Sequence, residues 1–466
     1  MPRFYLFLFL SLSLCLQHVV ASPPLPSGLS PSVPVAPALP TGLFKTPSLP
    51  TGIEPTQNSN HSFNSLQEPF FDLSGFWDIR SGFRTQGDSH QQQKSINEAR
   101  LHLAFQTELD TFTFTLNTDV IYDETNSQRG INLDKGQGWI DLRQANVAWS
   151  PFSFMDIKIG RQILTWGTGD LIFINDLFPK DWQAFFTGRD LEYLKAPSDA
   201  IKSSFFTDYA NLDIIYTPRF DADRSITGEK LSYYSPLTNS LQGEHQLIKA
   251  DRPYSDELAL RLYKNIGVNE LALYTYHGYW KSPMAYQPST NNNRYPVMRS
   301  LGASLRRPLW KGISNLELGY YDAYEHAAKD NPFTPNSEVR LLLGYEQELI
   351  KNITLSFQYY LEWMQDYKHY KASMLNIGAI HKRHEFRHVL TNRISVLTHQ
   401  QNINWSLFTF YSPSDSDAYI RPNIHYKIND HWAIETGGNI FIGKQYRFFG
   451  QFKKNNNLYA AIRYGF

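Results

Sequence analysis

From Phe70 to the C-terminus, apolar and polar residues alternate with a period of two in segments of roughly ten residues. Ile353, Leu355, Phe357 and Tyr359 interleave with Thr354, Ser356 and Gln358, with Glu362 further along the polar face. Leu101, Leu103 and Phe105 alternate with Arg100, His102, Ala104 and Gln106. Phe112, Phe114, Leu116 and Val120 alternate with Thr113, Thr115, Asn117 and Asp119, and Val339, Leu341, Leu343 and Tyr345 with Glu338, Arg340 and Glu346. A helical repeat would bring Ile353 and Thr354 to nearly the same side, so these segments are strands with one apolar and one polar face.

The pattern predicts an all-β fold of about 18 strands, an even number as single-chain bacterial barrels require. They fall near 70–84, 96–108, 111–122, 138–149, 153–164, 200–207, 211–217, 256–264 and 268–279. The series continues at 298–308, 313–323, 337–349, 352–363, 384–397, 403–411, 418–426, 431–442 and 457–466. Short turns and long polar loops separate them in alternation, which puts the long loops at one end of the sheet. A soluble sandwich needs fewer strands and would not carry so many polar residues on its concave face. In a bilayer a closed barrel leaves no sheet edge unsatisfied, so the expected fold is a transmembrane antiparallel β-barrel over 66–466.

The two termini extend this picture. Arg3, the apolar run Phe4 to Leu16 and Val19-Val20-Ala21 have the layout of a secretory signal peptide over 1–21. The run is too short for a permanent membrane helix, and Leu14 before Cys15 does not suit lipidation. Residues 22–65 are rich in Pro, Ser, Thr and Gly, with near-repeats at Leu25-Pro26-Ser27-Gly28, Leu39-Pro40-Thr41-Gly42 and Leu49-Pro50-Thr51-Gly52. Proline lacks the amide donor that helices and ladders need, so this is expected to be a disordered, extended periplasmic linker or a docking arm for a periplasmic partner. At the other end Leu458, Ala460, Ile462, Tyr464 and Phe466 share one face, and Phe466 is the last residue. Such a strand resembles the signal read by the outer-membrane assembly machinery, carried here by Tyr464 and Phe466.

Charge narrows the function. Lys+Arg and Asp+Glu both number 44, which excludes the basic excess of a nucleic-acid binder and provides no net steering field. The only cysteine is Cys15, in the leader, so the mature chain has no thiol chemistry or cysteine-ligated metal. Selectivity must therefore be local. Arg80, Arg84, Arg100, Arg143, Arg161, Arg261, Arg306, Arg340, Arg421 and Arg463 are expected on the lumen face, against acids that include Asp119, Glu257, Glu317 and Glu338.

The long loop 165–199 is the candidate pore constriction, combining Trp166 and several Phe residues with Asp170, Asp176, Lys180, Asp181, Arg189, Asp190 and Glu192. Its aromatics call for burial. It either folds into the lumen and narrows it or braces the wall as an external cap. Tyr274, Tyr276, Tyr279 and Trp280 suit either an interface girdle or stacking on sugars, and His381, His384 and His388 are either scattered surface residues or part of a metal site. No catalytic motif, metal-binding motif or cofactor loop is present in the sequence, so no enzyme activity is expected.

Asp141-Leu142-Arg143-Gln144-Ala145-Asn146-Val147, then Gly160-Arg161-Gln162 and Trp166-Gly167, resembles the LRxAxV…GRQ…WG pattern of outer-membrane porins related to the alginate-export family. That resemblance implies an 18-stranded barrel with an arginine-rich lumen passing an acidic polysaccharide. The matched acids of this lumen point away from that substrate. The expected function is an outer-membrane porin-like channel for passive diffusion of small hydrophilic solutes. The alternatives are a polysaccharide export conduit of the alginate-export type, passing an acidic saccharide, and a plugged structural or adhesion barrel. Outer-membrane lipid and lipopolysaccharide would surround it.

Overall fold

A computed structural model describes residues 72–126, 130–235, 238–290, 292–323, 333–376 and 381–466. The expected signal peptide over 1–21 and the linker over 22–65 lie outside the described residues. Eighteen antiparallel strands form one closed sheet. In chain order they are β1 (Asp72–Arg84), β2 (Lys94–Leu109), β3 (Phe112–Asp123), β4 (Ile140–Phe152), β5 (Met155–Ile163), β6 (Pro197–Phe205) and β7 (Asn211–Thr217). Then come β8 (Glu257–Ile266), β9 (Asn269–Tyr279), β10 (Val297–Leu309), β11 (Gly312–Asp322), β12 (Glu338–Ile350) and β13 (Ile353–Met364). The last five are β14 (Phe386–Thr398), β15 (Ile403–Ser412), β16 (Asp417–Lys427), β17 (Trp432–Ile442) and β18 (Asn457–Gly465). Each of the predicted strands overlaps one of these, and the expected barrel is borne out.

Closure is made by β1 and β18, from Phe76 opposite Gly465 to Arg84 opposite Asn457. Gly75 and Phe466 exchange both backbone hydrogen bonds at 3.0 Å, which carries the ladder to the last residue. A Cβ at Gly75 would stand 2.8 Å from the Phe466 ring, so glycine is needed where the terminal side chain crosses the seam. At the short-turn end, hairpins turn through left-handed residues such as Asp110, Trp310 and Asn352.

Polarity is reversed relative to a water-soluble protein. Trp77, Ile79, Leu273 and Leu458 are half or more exposed on the outside. Asp78, Arg80, Arg100, Asp119 and Glu338 are 3% exposed or less on the inside. Alternation decides the face in nearly every strand, and it overturns two expectations based on residue type. Arg161 does not face the lumen. It shares parity with Ile157 and Ile159, and its register partner Asp199 shares parity with Ile201, so both point outward. Its charge is matched there by Asp199 at 2.8 Å and by Asp134 of the loop 124–139 at 3.8 Å. Conversely, Tyr274 and Tyr276 form no girdle. They follow Ala272 on the inward face and are buried, and Trp280 is buried against Tyr321 just beyond the strand.

An outward position at mid-strand meets hydrocarbon. Leu273→Arg is therefore expected to destabilise the barrel by about 2–4 kcal/mol, read from denaturant unfolding in liposomes.

Candidate functional site

The segment 164–196 leaves β5, crosses to the far side of the barrel and returns into β6. Its course follows from local chemistry. Gly167 takes a left-handed φ of 81° and turns the chain at the first corner. Asp181 caps a short helix, Trp182–Thr187 (α1), by accepting from the Ala184 amide at 2.7 Å. Gly188 ends the helix at φ 99°, where a Cβ would stand 2.4 Å from the Tyr459 ring. Asp190 then caps the 3-10 turn Leu191–Leu194 through the Glu192 amide at 3.1 Å.

The aromatic residues of this segment find the burial that the sequence calls for. Phe186 meets Tyr419 and Phe441 edge-on, each at 5.3 Å between centroids. Trp166 packs on Phe178 at 5.0 Å and on Tyr274 at 5.9 Å. The wall supplies the inward aromatic partners from β9, β16 and β17, which is why Tyr274 is not at the membrane interface.

Polar anchors fix the segment around the circumference. Arg393 of β14 forks onto Asp170 with Nε–Oδ2 of 2.6 Å and Nη2–Oδ1 of 2.8 Å. Arg189 reaches Glu98 of β2 at 2.7 Å, and Arg463 of β18 reaches Asp190 at 3.0 Å and Glu192 at 3.5 Å. Arg80 of β1 donates to the Gly188 carbonyl at 2.7 Å, and Arg421 of β16 to that of Arg189 at 3.2 Å. Arg143 of β4 donates to the Lys195 carbonyl at 2.9 Å, and both Arg143 and Arg100 lie over the Tyr193 ring. Glu317 of β11 accepts from the turn after Gly167. Partners on so many separate strands place the segment across the lumen, where an external cap would touch only the rim.

Trp166, Asp170, Asp176, Lys180, Asp181, Arg189, Asp190 and Glu192 all lie in this segment. Asp176 and Lys180 pair with each other at 2.9 Å. Arg80 also pairs with Asp78 and Glu435, Arg100 with Glu98 and Asp119, and Arg340 with Glu338. Arg261 pairs with Glu270 at 3.1 Å, and Glu257 with Lys281 at 2.6 Å. Arg84 instead donates to the backbone carbonyls of Lys94, at the start of β2, and of Lys230 in the loop 218–256, at the long-loop end. Arg306 faces inward opposite Glu270 in register. Tyr464 packs against Trp432 with ring centroids 4.9 Å apart at the short-turn end. His384 lies 3.9 Å from Asp415, and His388 bonds to Tyr359, so the two histidines serve different partners.

Other charged residues of the site carry no sequence signal. Asp223 and Arg224 come from the loop 218–256. Arg224 bridges Asp141 at 2.6 Å and Asp181 at 3.3 Å. Asp223 accepts from the Lys180 amide at 2.8 Å, Trp182 Nε1 at 3.1 Å and Ser282 at 2.8 Å. Burial pushes the Asp223 carboxyl above the ordinary carboxylate value, only partly offset by these donors and by Lys180. Nothing in the local sequence of 218–256 reveals that it reaches the first loop. Glu98 and Arg100 do carry a signal, since residues two apart in a strand share a face.

No family model matches the sequence, and no curated protein matches it. Among solved structures, OccAB4 of Acinetobacter baumannii superposes with a TM-score of 0.51 at 9% identity, over 86% of this chain and 100% of that one. OccK11 (OpdR) of Pseudomonas aeruginosa superposes with 0.50 at 9% identity, over 86% and 98%. At this identity the likeness concerns the fold. A closed, even-numbered antiparallel barrel with an apolar exterior is the architecture of single-chain proteins of the bacterial outer membrane, and that is where this chain resides.

The raised Asp223 carboxyl gives a pH dependence of known sign. Its ionised form is disfavoured in the packed state, so its contribution is full below the ordinary value of 3.8 and is lost as pH rises through the raised value. Limited proteolysis of the 164–196 and 218–256 loops is expected to speed up as pH rises through that window in the parent chain. Asp223→Asn should flatten the response.

Proposed function

We propose that the chain is a porin-like channel for passive diffusion of small hydrophilic solutes, with the segment 165–199 setting its selectivity. One observation carries this reading. A segment tied to inward side chains of β1, β2, β4, β11, β14, β16 and β18 lies across the path of any solute, so it sets the width and charge of that path. Acids and bases of the wall are largely matched to each other or to this segment, which leaves no continuous field of one sign along the barrel. Discrimination then falls to the few charges beside the loop. The same crossing argues against an export conduit for a polysaccharide, because a polymer needs a clear lumen.

Deleting 170–192 is expected to raise single-channel conductance of the refolded barrel in a planar bilayer. Unchanged conductance in a folded deletion variant would remove the constriction from the reading. A barrel that is silent with the loop and open without it would replace the open channel with a plugged one.

A further inference from the structure

The wall under the first corner of the loop is shaped for it. Glu317 is 1% exposed and accepts five hydrogen bonds from the segment 168–175. The Thr168 amide is one donor, with Thr168 Oγ1 at 3.0 Å and the Gly169 amide at 2.8 Å on the same oxygen. The Asn175 amide at 3.2 Å and Asn175 Nδ2 at 2.9 Å reach the other. Among the described residues no Lys, Arg or His comes within ion-pairing distance of it. The carboxylate is therefore compensated by the loop alone, unlike its neighbours Glu338 and Glu257, which pair with wall or loop cations.

Beside it the wall is hollow. Gly302 and Gly319 are register partners across β10 and β11 and face inward. A Cβ at Gly302 would stand 1.8 Å from Asn175 Oδ1, and one at Gly319 would stand 2.6 Å from Ile174 Cγ2. Two side chains are missing where Ile174 and Asn175 lie against the strands, and Tyr321 closes the hollow by donating to the Ile174 carbonyl.

We propose that Glu317, with the Gly302–Gly319 hollow, is the positioning site of the constriction: it seats the loop and does not contact the permeating solute. This rests on the constriction reading and deepens it. A wall acid read from sequence as a selectivity charge becomes a latch whose removal frees the first corner of the loop, so that the loop no longer holds the narrowing in place. Charge-assisted hydrogen bonds are the stronger class, so losing one shifts the ratio of seated to freed loop on the order of tenfold.

The test compares single-channel records of the full refolded chain with Glu317→Gln, Asn175→Ala and Gly302→Ala. Glu317→Gln sets an amide N–H₂ against backbone donors, Asn175→Ala removes a donor, and Gly302→Ala fills the hollow. The last two leave every charge in place. All three are expected to raise conductance and open-channel noise toward the values of the 170–192 deletion, with Glu317→Asp restoring the parent record in part. A shifted reversal potential in Glu317→Gln, with parent conductance in Asn175→Ala and Gly302→Ala, would overturn the proposal and make Glu317 a lumen charge. If Glu317→Gln fails to fold, the two charge-neutral variants decide the matter. A deletion that widens the channel while all three substitutions leave it unchanged strikes only the seat. A deletion without effect strikes the constriction reading itself.

Discussion

Hydrocarbon offers no partner to a backbone amide, so a sheet crossing it must find every hydrogen bond within itself. In this chain that demand is met by joining the first strand to the last, with Gly75 and Phe466 exchanging the final pair of bonds. Closure then inverts the usual distribution of side chains. Leu273 and Ile79 face lipid, while Arg100 and Asp119 are enclosed. An enclosed charge is costly unless matched, and most of the lumen follows from how that matching is done.

Two kinds of matching operate. Some wall charges pair with neighbours on the same or the next strand, as Arg340 does with Glu338 and Arg100 with Asp119. Others are answered wholly or partly by the crossing loop. Its backbone amides near Thr168 face the Glu317 carboxylate, while its carbonyls near Gly188 face the guanidinium groups of Arg80 and Arg421. The wall thus presents a carboxylate to the backbone amides of one corner and guanidinium groups to the backbone carbonyls of the other. Apolar contacts between these corners, from Trp166 to Phe186, complete a small internal core inside a membrane protein.

The barrel was legible because a period of two survives single substitutions and is repeated in every strand. Strands such as β6 and β7, short and weakly patterned, were still bounded by the turns around them. The site was legible only in outline. Long aromatic loops call for burial, and that located the crossing segment. Charge type misled at Arg161, where parity with Ile159 gave the correct face and a salt bridge to Asp199 explains how the charge is accommodated outside. Tyr274 and Tyr276 look like girdle residues because the sequence does not show that a loop will cover them. Asp223 and Arg224 could not be found at all. Their partners lie 41 to 83 residues away, and no local pattern encodes such a meeting.

Sequence separation also orders events in time. The loop is synthesised between the fifth and sixth strands, yet its partners arrive far later: Glu317 is 149 residues beyond Thr168, Arg393 is 223 beyond Asp170, and Asn457 is 271 beyond Phe186. Contacts of such range carry a large loop-closure entropy and form late. The loop cannot dock until the strands bearing its partners are in place, and its final contacts wait on β18. Docking is therefore a record of completed assembly, and a barrel arrested before its last strand keeps its lumen unfurnished.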